Sequence, residues 1–117
     1  MRRIAFINEK GGTCKTTLCV NVAARLAARG RRVLVADLDT QGHAAKSLGI
    51  DPRRLSPTVF EWLLGTAPFA EVVRPTAIPG LDLLPANKDL AGWPVAAGAA
   101  GEGALRRRLD APPAGLY

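Results

Sequence analysis

A glycine-rich segment near the N-terminus carries the residue types that bind phosphate groups. It runs from Lys10 to Thr17 and reads KGGTCKTT. Gly11 and Gly12 let the backbone approach an anion closely and adopt dihedrals that a Cβ atom resists. Successive N–H groups of such a turn form a concave nest for phosphate oxygens, and a following helix adds its unpaired amides and positive dipole end. The segment therefore predicts a polyphosphate site.

The side chains of this segment suit a nucleoside triphosphate bound with magnesium. Lys15 is placed to reach the β- and γ-phosphates as a mobile positive charge. The hydroxyl of Thr16 is a hard oxygen ligand of the kind that Mg²⁺ prefers, and Thr17 can bond another phosphate oxygen. We therefore predict a site for a nucleoside triphosphate, such as ATP, and Mg²⁺, whose nucleotide-binding residues are Gly11, Gly12, Thr13, Cys14, Lys15, Thr16 and Thr17, with Thr16 as the metal ligand.

Two carboxylates follow the second apolar run of the chain. The run is Val33–Ala36, and Asp37 and Asp39 come directly after it. Residues two apart in an extended chain share a face, and ligands of open α/β sheets bind beyond the carboxyl ends of the strands. We expect both carboxylates to lie beside the phosphate loop.

The elements that must position these residues follow a strand–helix–strand order. Ile4–Ile7 predicts a buried parallel strand that ends at the glycine-rich turn. Apolar residues then recur at helical spacing from Thr16 to about Arg29, and Gly30 is a predicted C-cap. Val33–Ala36 predicts the second strand. This order is typical of a right-handed βαβ unit with parallel strands.

The rest of the chain predicts shorter elements and only one more strand. An open parallel sheet usually has more than three strands and needs helices on both faces, so we expect residues 1–117 to form a single but partial domain. The expected elements are helices at 44–48, 58–64 with a capping box, 69–73 and 103–110, a strand at 80–85, a helical turn at 87–91 and a loose connection at 96–103.

Composition excludes several classes of protein. Hydrophobic residues make up 48% of the chain, too many for a disordered protein, and no stretch approaches the length of a membrane-spanning helix. The net charge is +6, but the basic residues are spread along the chain, which favours a solvated surface over a dedicated nucleic-acid patch. Cys14 and Cys19 are too few and too close for a disulfide framework and are interpreted as reduced thiols.

Two motifs together resemble those of a known family. The usual phosphate-loop pattern G-x-x-x-x-G-K-[ST] fails, because its glycine positions fall at Glu9 and Cys14. The segment instead resembles the deviant Walker A box K-G-G-x-G-K-[ST]-T of ParA/MinD-type ATPases, with Cys14 in place of a glycine. The stretch from Asp37 to Gly42 is similar to the family's D-x-D-P-Q-G block, with Thr40 in place of proline.

This resemblance implies a fold, an activity and a set of partners. The fold would be α/β and P-loop NTPase-like, with a mostly parallel sheet flanked by helices. The activity would be ATP hydrolysis in chromosome or plasmid partitioning, in the cytoplasm at the nucleoid and away from membranes. An ATP-dependent homodimer would bind nonspecific DNA, and a ParB-like protein would stimulate it. Lys10 would reach the partner's nucleotide, Lys15 would serve catalysis, and Asp39 would orient the attacking water.

Other interpretations of the chain stay open. It could be a truncated or decayed copy without ATPase activity, or a MinD-like positioning protein. A plain glycine-rich turn that caps a helix, and a dinucleotide site without its G-x-G-x-x-G motif, are weaker alternatives. Cys14 is either a small residue tolerated in the loop or a reactive thiol at a helix N-terminus. The D-x-P-P letters that begin at Asp110 follow a run of arginines, so we interpret them as a helix end and expect the family's next strand beyond Tyr117.

Overall fold

The computed structural model describes residues 1–10 and 14–117. Within that part of the chain there are six α-helices, four 3-10 helices and three short strands. The α-helices are α1 (Lys15–Ala28), α2 (His43–Ser47), α3 (Val59–Leu64), α4 (Phe69–Val72), α5 (Trp93–Ala97) and α6 (Ala104–Leu109); the strands are β1 (Val33–Ala36), β2 (Arg74–Pro75) and β3 (Leu81–Leu84); and 3-10 helices span Pro52–Arg54, Lys88–Gly92, Gly98–Gly101 and Pro112–Gly115.

The three strands form one mixed sheet in the order β1-β3-β2. β1 and β3 are parallel, with Val33 opposite Leu81 and Ala36 opposite Leu84. β2 pairs with β3 in the antiparallel direction over two residues. The strands predicted at 33–36 and 80–85 are both present, and they are parallel neighbours in the sheet. Because β1 ends at Ala36, its carboxyl end leads directly into the two aspartates.

Side chains alternate between two hydrophobic clusters, one on each face of the sheet. Val35, Leu81 and Leu83 pack with α1 and α2 in the first cluster. Leu84 belongs to the second cluster, with α3 and α4, and Leu34 packs against it. The strands thus alternate as a sheet buried on both faces must. The α/β class, with helices flanking the sheet, is confirmed.

The start of α3 shows why a short helix is stable here. Thr58 is fully buried; its hydroxyl accepts a hydrogen bond from the amide of Phe60 at 3.3 Å. The carboxylate of Glu61 accepts from the Thr58 amide at 2.7 Å and from its hydroxyl at 2.9 Å. This is the predicted capping box, which satisfies amides that would otherwise lack partners. Gly65 ends the helix with φ at 85°, as expected for a left-handed C-cap.

The prediction of a buried first strand at Ile4–Ile7 is wrong for this structure. Residues 1–8 form no regular element, and the side chains of Ile4 and Ile7 are 66% and 86% exposed. A strand needs a hydrogen-bonded neighbour, and among the described residues β1 pairs only with β3. The predicted βαβ unit through residue 36 is therefore not formed, and the parallel crossover instead joins β1 to β3.

The sequence interpretation also missed elements with weak local signals. β2 consists of two residues, one of them Pro75, at the edge of the sheet. α5 and the following 3-10 helix occupy the alanine- and glycine-rich region that was expected to be a loose connection.

At the C-terminus, the hydroxyl of Tyr117 donates to Asp82 at 2.6 Å. The prediction that the D-x-P-P letters beginning at Asp110 mark a helix end is confirmed, because Asp110 is the C-cap of α6.

Candidate phosphate-binding site

The N-terminus of α1 forms one side of the candidate site. Cys14 precedes the helix in a left-handed conformation, with φ at 59° and ψ at 23°, and its side chain makes no capping hydrogen bond. The first intrahelical bond runs from the Leu18 amide to the Cys14 carbonyl at 2.9 Å. Amides earlier in the helix lack an intrahelical acceptor, as in every α-helix. A 14-residue helix therefore directs its positive end at this point.

Lys15 and Asp39 meet at this helix end. The ε-ammonium group of Lys15 lies 3.1 Å from Oδ2 of Asp39, and both side chains are 31% exposed. The two residues come from different elements, since Lys15 opens α1 and Asp39 lies in the loop between β1 and α2. Of the two carboxylates expected beside the phosphate loop, Asp39 contacts Lys15 in this structure.

The second carboxylate oxygen of Asp39 holds the loop itself. Oδ1 accepts a hydrogen bond from the amide of Gln41 at 3.0 Å. This bond, followed by the one from Lys15, lowers the pKa of the Asp39 carboxyl below its ordinary value. Asp39 is therefore ionised at neutral pH and is poised to interact with a cation or a water molecule.

Asp37 has a different environment from Asp39, although the two are only two residues apart. Its side chain is buried, with the residue 8% exposed. Oδ1 accepts from the Asp39 amide at 3.0 Å, and Oδ2 accepts from the Ala44 amide at 3.2 Å. Burial raises the pKa of Asp37, and the two backbone hydrogen bonds oppose that rise. β1 ends before both aspartates, so strand alternation does not describe how they are arranged.

Gly42 fixes the path of the loop that carries Asp39. It precedes α2 with φ at 62°, and its amide donates to the Asp39 carbonyl at 3.0 Å. A Cβ atom at this position would lie 2.6 Å from the carbonyl oxygen of Ala86. Only glycine fits both the positive φ and the close backbone approach. The loop is consequently pressed against the segment that follows β3.

The other predicted site residues divide into those the structure describes and those it does not. Gly11, Gly12 and Thr13 lie outside the described residues. Lys10 is exposed, and its amide donates to Oδ1 of Asn8 at 2.8 Å. Around the helix start, Cys14 and Thr17 are exposed and Thr16 is half-buried.

The two cysteines differ in environment. Both are free thiols; Cys14 is exposed and Cys19 is half-buried against the first hydrophobic cluster. Burial, and after it the nearby charge of Asp37, raises the pKa of the Cys19 thiol. Cys19 is thus a packing residue.

Metal-binding clusters and membrane-spanning helices are both absent from the described residues. Across residues 1–10 and 14–117, no group of three or more histidine, cysteine, aspartate or glutamate residues is arranged to hold a metal ion. None of the helices in the same residues combines the length and apolarity needed to cross a bilayer.

The fold and the site together define an α/β protein of the P-loop NTPase type. A lysine at a helix N-terminus faces a carboxylate at the carboxyl end of a parallel strand, which is where such sheets bind nucleotides. A family model described as an AAA domain matches residues 1–110, and the chain belongs to this family.

Curated relatives place the chain near partitioning ATPases. It is 39% identical over 108 residues to the chromosome partitioning protein ParA of Caulobacter vibrioides, an alignment that covers 92% of this chain and 40% of that protein. It is 46% identical to the chromosome-partitioning ATPase Soj of Thermus thermophilus, covering 97% of this chain and 47% of that one. The resemblance to ParA/MinD-type ATPases is confirmed. The chain spans less than half the length of these relatives.

A solved structure extends the likeness to the fold. Cobyrinic acid a,c-diamide synthase from Mycobacterium smegmatis, with bound ADP and magnesium, superposes with a TM-score of 0.82 at 44% identity. The match covers 89% of this chain and 43% of that one. Its bound nucleotide and metal agree in kind with the cofactors that the sequence predicts.

Proposed function

We propose that this chain binds ATP with Mg²⁺ between the N-terminus of α1 and the loop after β1, and that it acts as a ParA-like partitioning ATPase. The observation that carries the proposal is the 3.1 Å approach of Lys15 to Asp39 at the start of a 14-residue helix. This approach brings the Lys15 cation and the Asp39 anion together at the positive end of the α1 dipole. Phosphoryl transfer depends on fixed charges placed in this way.

The residues present fit a bound nucleotide. The half-buried ammonium of Lys15 and the amides of the first turn of α1 are donors suited to phosphate oxygens. In this proposal Lys10, Gly11, Gly12, Thr13 and Cys14 complete the loop around the phosphates, and the Thr17 hydroxyl bonds one more oxygen. The Thr16 hydroxyl is the protein ligand for magnesium, which when bound neutralises phosphate charge.

Asp39 is the proposed orienting residue for hydrolysis. Its lowered pKa keeps it ionised, so one of its oxygens can accept a hydrogen bond from a water molecule. Phosphoryl transfer depends chiefly on positioning and on charge neutralisation. In this proposal Asp39 provides the fixed acceptor and Lys15 provides the neutralising charge. Lys10 is proposed to act across a dimer, on the partner's nucleotide.

The partitioning role rests on the names of the relatives. The proposal includes an ATP-dependent homodimer on nonspecific DNA, stimulation by a ParB-like protein, and a cytoplasmic location at the nucleoid. The neighbour named as a cobyrinic acid a,c-diamide synthase shows that this fold also serves other chemistry, so ATP binding is the primary claim.

The arginine run on α6 is not the proposed DNA surface. Arg107 donates to the carbonyls of Glu102 and Ala100 at 2.9 and 2.8 Å, and so ties down the segment before α6. Arg106 lies 4.0 Å from Asp110. Because Arg107 is bonded to two backbone carbonyls, this arginine supports local structure first.

Equilibrium titration of the purified chain with a fluorescent ATP analogue and Mg²⁺ tests the proposal. Saturable binding is expected for the wild type, and Lys15→Ala should weaken it at least about tenfold, because a charge-assisted contact to phosphate is lost. Lys46→Ala, at an exposed lysine of α2, is the matched control and should bind as the wild type. Absence of wild-type binding would favour the alternative of a copy without ATPase activity.

The DNA part of the proposal needs its own measurement. Co-sedimentation with DNA of random sequence should increase when ATP and Mg²⁺ are present and should fall as salt is raised. DNA binding that does not depend on nucleotide would contradict the partitioning model while leaving the ATP site intact.

A further inference from the structure

We infer that Asp37 is a positioning residue, which holds the loop after β1 so that Asp39 faces Lys15. This inference rests on the proposed phosphate site and extends it to a residue that does not itself face the phosphates. It is carried by the contacts of the Asp37 carboxylate.

The Asp37 carboxylate bridges the two ends of the loop. One oxygen accepts from the amide of Asp39 at 3.0 Å, and the other accepts from the amide of Ala44 at 3.2 Å. Asp39 begins the loop, whereas Ala44 lies in the first turn of α2. One side chain thus fixes both the departure of the loop from β1 and its entry into α2.

The bridge is anchored on a rigid support. The Asp37 amide donates to the Leu84 carbonyl at 2.9 Å, which extends the parallel pairing of β1 with β3 by one residue. On the other side, Gly42 packs against the Ala86 carbonyl so closely that no Cβ would fit. The loop is held at three points, and Asp39 projects from it towards the lysine.

The bridge needs a side chain with two acceptor oxygens, which a carboxylate supplies. Burying a carboxylate costs free energy because the group loses its hydration. An apolar residue at the same position would not carry this desolvation cost. Asparagine offers one acceptor oxygen and replaces the other with an NH₂ donor, which cannot accept from the second amide. A buried carboxyl group whose two oxygens bind both ends of the loop that carries a second carboxylate has the character of a positioning group rather than a packing group.

The nucleotide-free full chain provides the first test. Nuclear magnetic resonance would follow amide hydrogen exchange at Asp39 and Ala44, together with the slowed proton exchange of the Lys15 ammonium group that an ion pair produces. Asp37→Asn is expected to speed Ala44 exchange about tenfold or more and to abolish the Lys15 ammonium signal. Asp51→Asn is the control, because Asp51 accepts the Arg53 amide at 2.9 Å in an exposed turn; it should change neither signal.

The outcomes separate this inference from the proposed function. A Lys15 ammonium signal that survives in Asp37→Asn would overturn the positioning role, whether or not nucleotide binds. With ATP and Mg²⁺, Asp37→Asn should lower kcat about tenfold or more while KM changes less than about threefold, since Lys15 and the loop amides remain. Equal losses in Asp37→Asn and Asp51→Asn would reveal general destabilisation and would also overturn it. A wild-type chain without turnover would refute the ATPase proposal, and the nucleotide-free measurement would still decide the role of Asp37.

Discussion

The ε-ammonium of Lys15 and the carboxylate of Asp39 lie 3.1 Å apart although the two residues are 24 positions apart in the chain. A phosphate group that engages Lys15 must compete with Asp39 for it. Asp39→Asn removes the competing charge and should therefore tighten ATP binding about two- to fivefold, the range expected for a partly exposed ion pair. Titration with a fluorescent analogue measures this change.

The control for that prediction is Asp51→Asn, which removes the same charge from an exposed turn. It should leave affinity within error of the wild type at moderate salt, where distant surface charges are screened. If Asp39→Asn instead weakened binding tenfold, Asp39 would be part of the binding site rather than a competitor for the lysine.

Cys14 carries backbone strain that a glycine would relieve. It is the one residue other than glycine with positive φ in the described part of the chain. Cys14→Gly should raise the free energy of unfolding by up to about 1 kcal/mol. Cys14→Ala removes the thiol but keeps the Cβ atom, so it should give no such gain. Urea denaturation of the three proteins checks this, and equal stability of the glycine and alanine variants would show that the conformation is not strained.

The Thr58 hydroxyl should contribute more to stability than its methyl group. Thr58→Val keeps the shape but loses the capping bonds, and should cost about 1–2 kcal/mol of unfolding free energy. Thr58→Ser keeps the hydroxyl and should cost less, about 1 kcal/mol for the lost methyl group. A larger loss in the serine variant, measured by urea denaturation, would contradict the role of the capping box.

The same capping box predicts a pH dependence of stability. Burial opposes ionisation of Glu61, but hydrogen bonds from the Thr58 amide and hydroxyl outweigh it and leave the pKa of Glu61 lowered. A lowered pKa in the folded state stabilises the protein above the unfolded-state value of about 4.3, and the contribution is lost as pH falls through the folded value. The stability difference between wild type and Glu61→Gln should be constant near neutral pH and should shrink below about pH 4.5.

Glu71→Gln serves as the control for this titration, because Glu71 is exposed on the neighbouring helix α4. Its difference from the wild type should stay small across the same pH range. The wild type and Glu61→Gln differ in their free energy of unfolding. If that difference grew as the pH fell, the assignment of Glu61 as an ionised cap would be contradicted.

Much of this fold could be predicted from local signals. The apolar spacing of α1, the apolar run of β1, the Thr58 capping box and the glycine after α3 each act over a few residues, and the structure confirms them. The run at Ile4–Ile7 has a similar local signal to β1, but whether it becomes a strand depends on neighbours in space. β2 could not be predicted, because two residues at a sheet edge carry no periodicity.

The candidate site was predictable in its outline only. The order of glycine-rich turn, helix and acidic strand end indicates that Lys15 and Asp39 belong to one site. The clamp made by Asp37 depends on how the loop folds back against Ala86, which is a tertiary contact. The left-handed conformation of Cys14, at a position where the family has glycine, is a finding of the structure.

The most direct test is a crystal structure of the chain with a non-hydrolysable ATP analogue and Mg²⁺. We expect residues 10–17 to surround the phosphates, the Lys15 ammonium to leave Asp39 for a phosphate oxygen, and the Thr16 hydroxyl to contact the metal. A structure in which the analogue binds elsewhere, or in which Lys15 stays paired with Asp39 while the helix end contacts no phosphate, would contradict it.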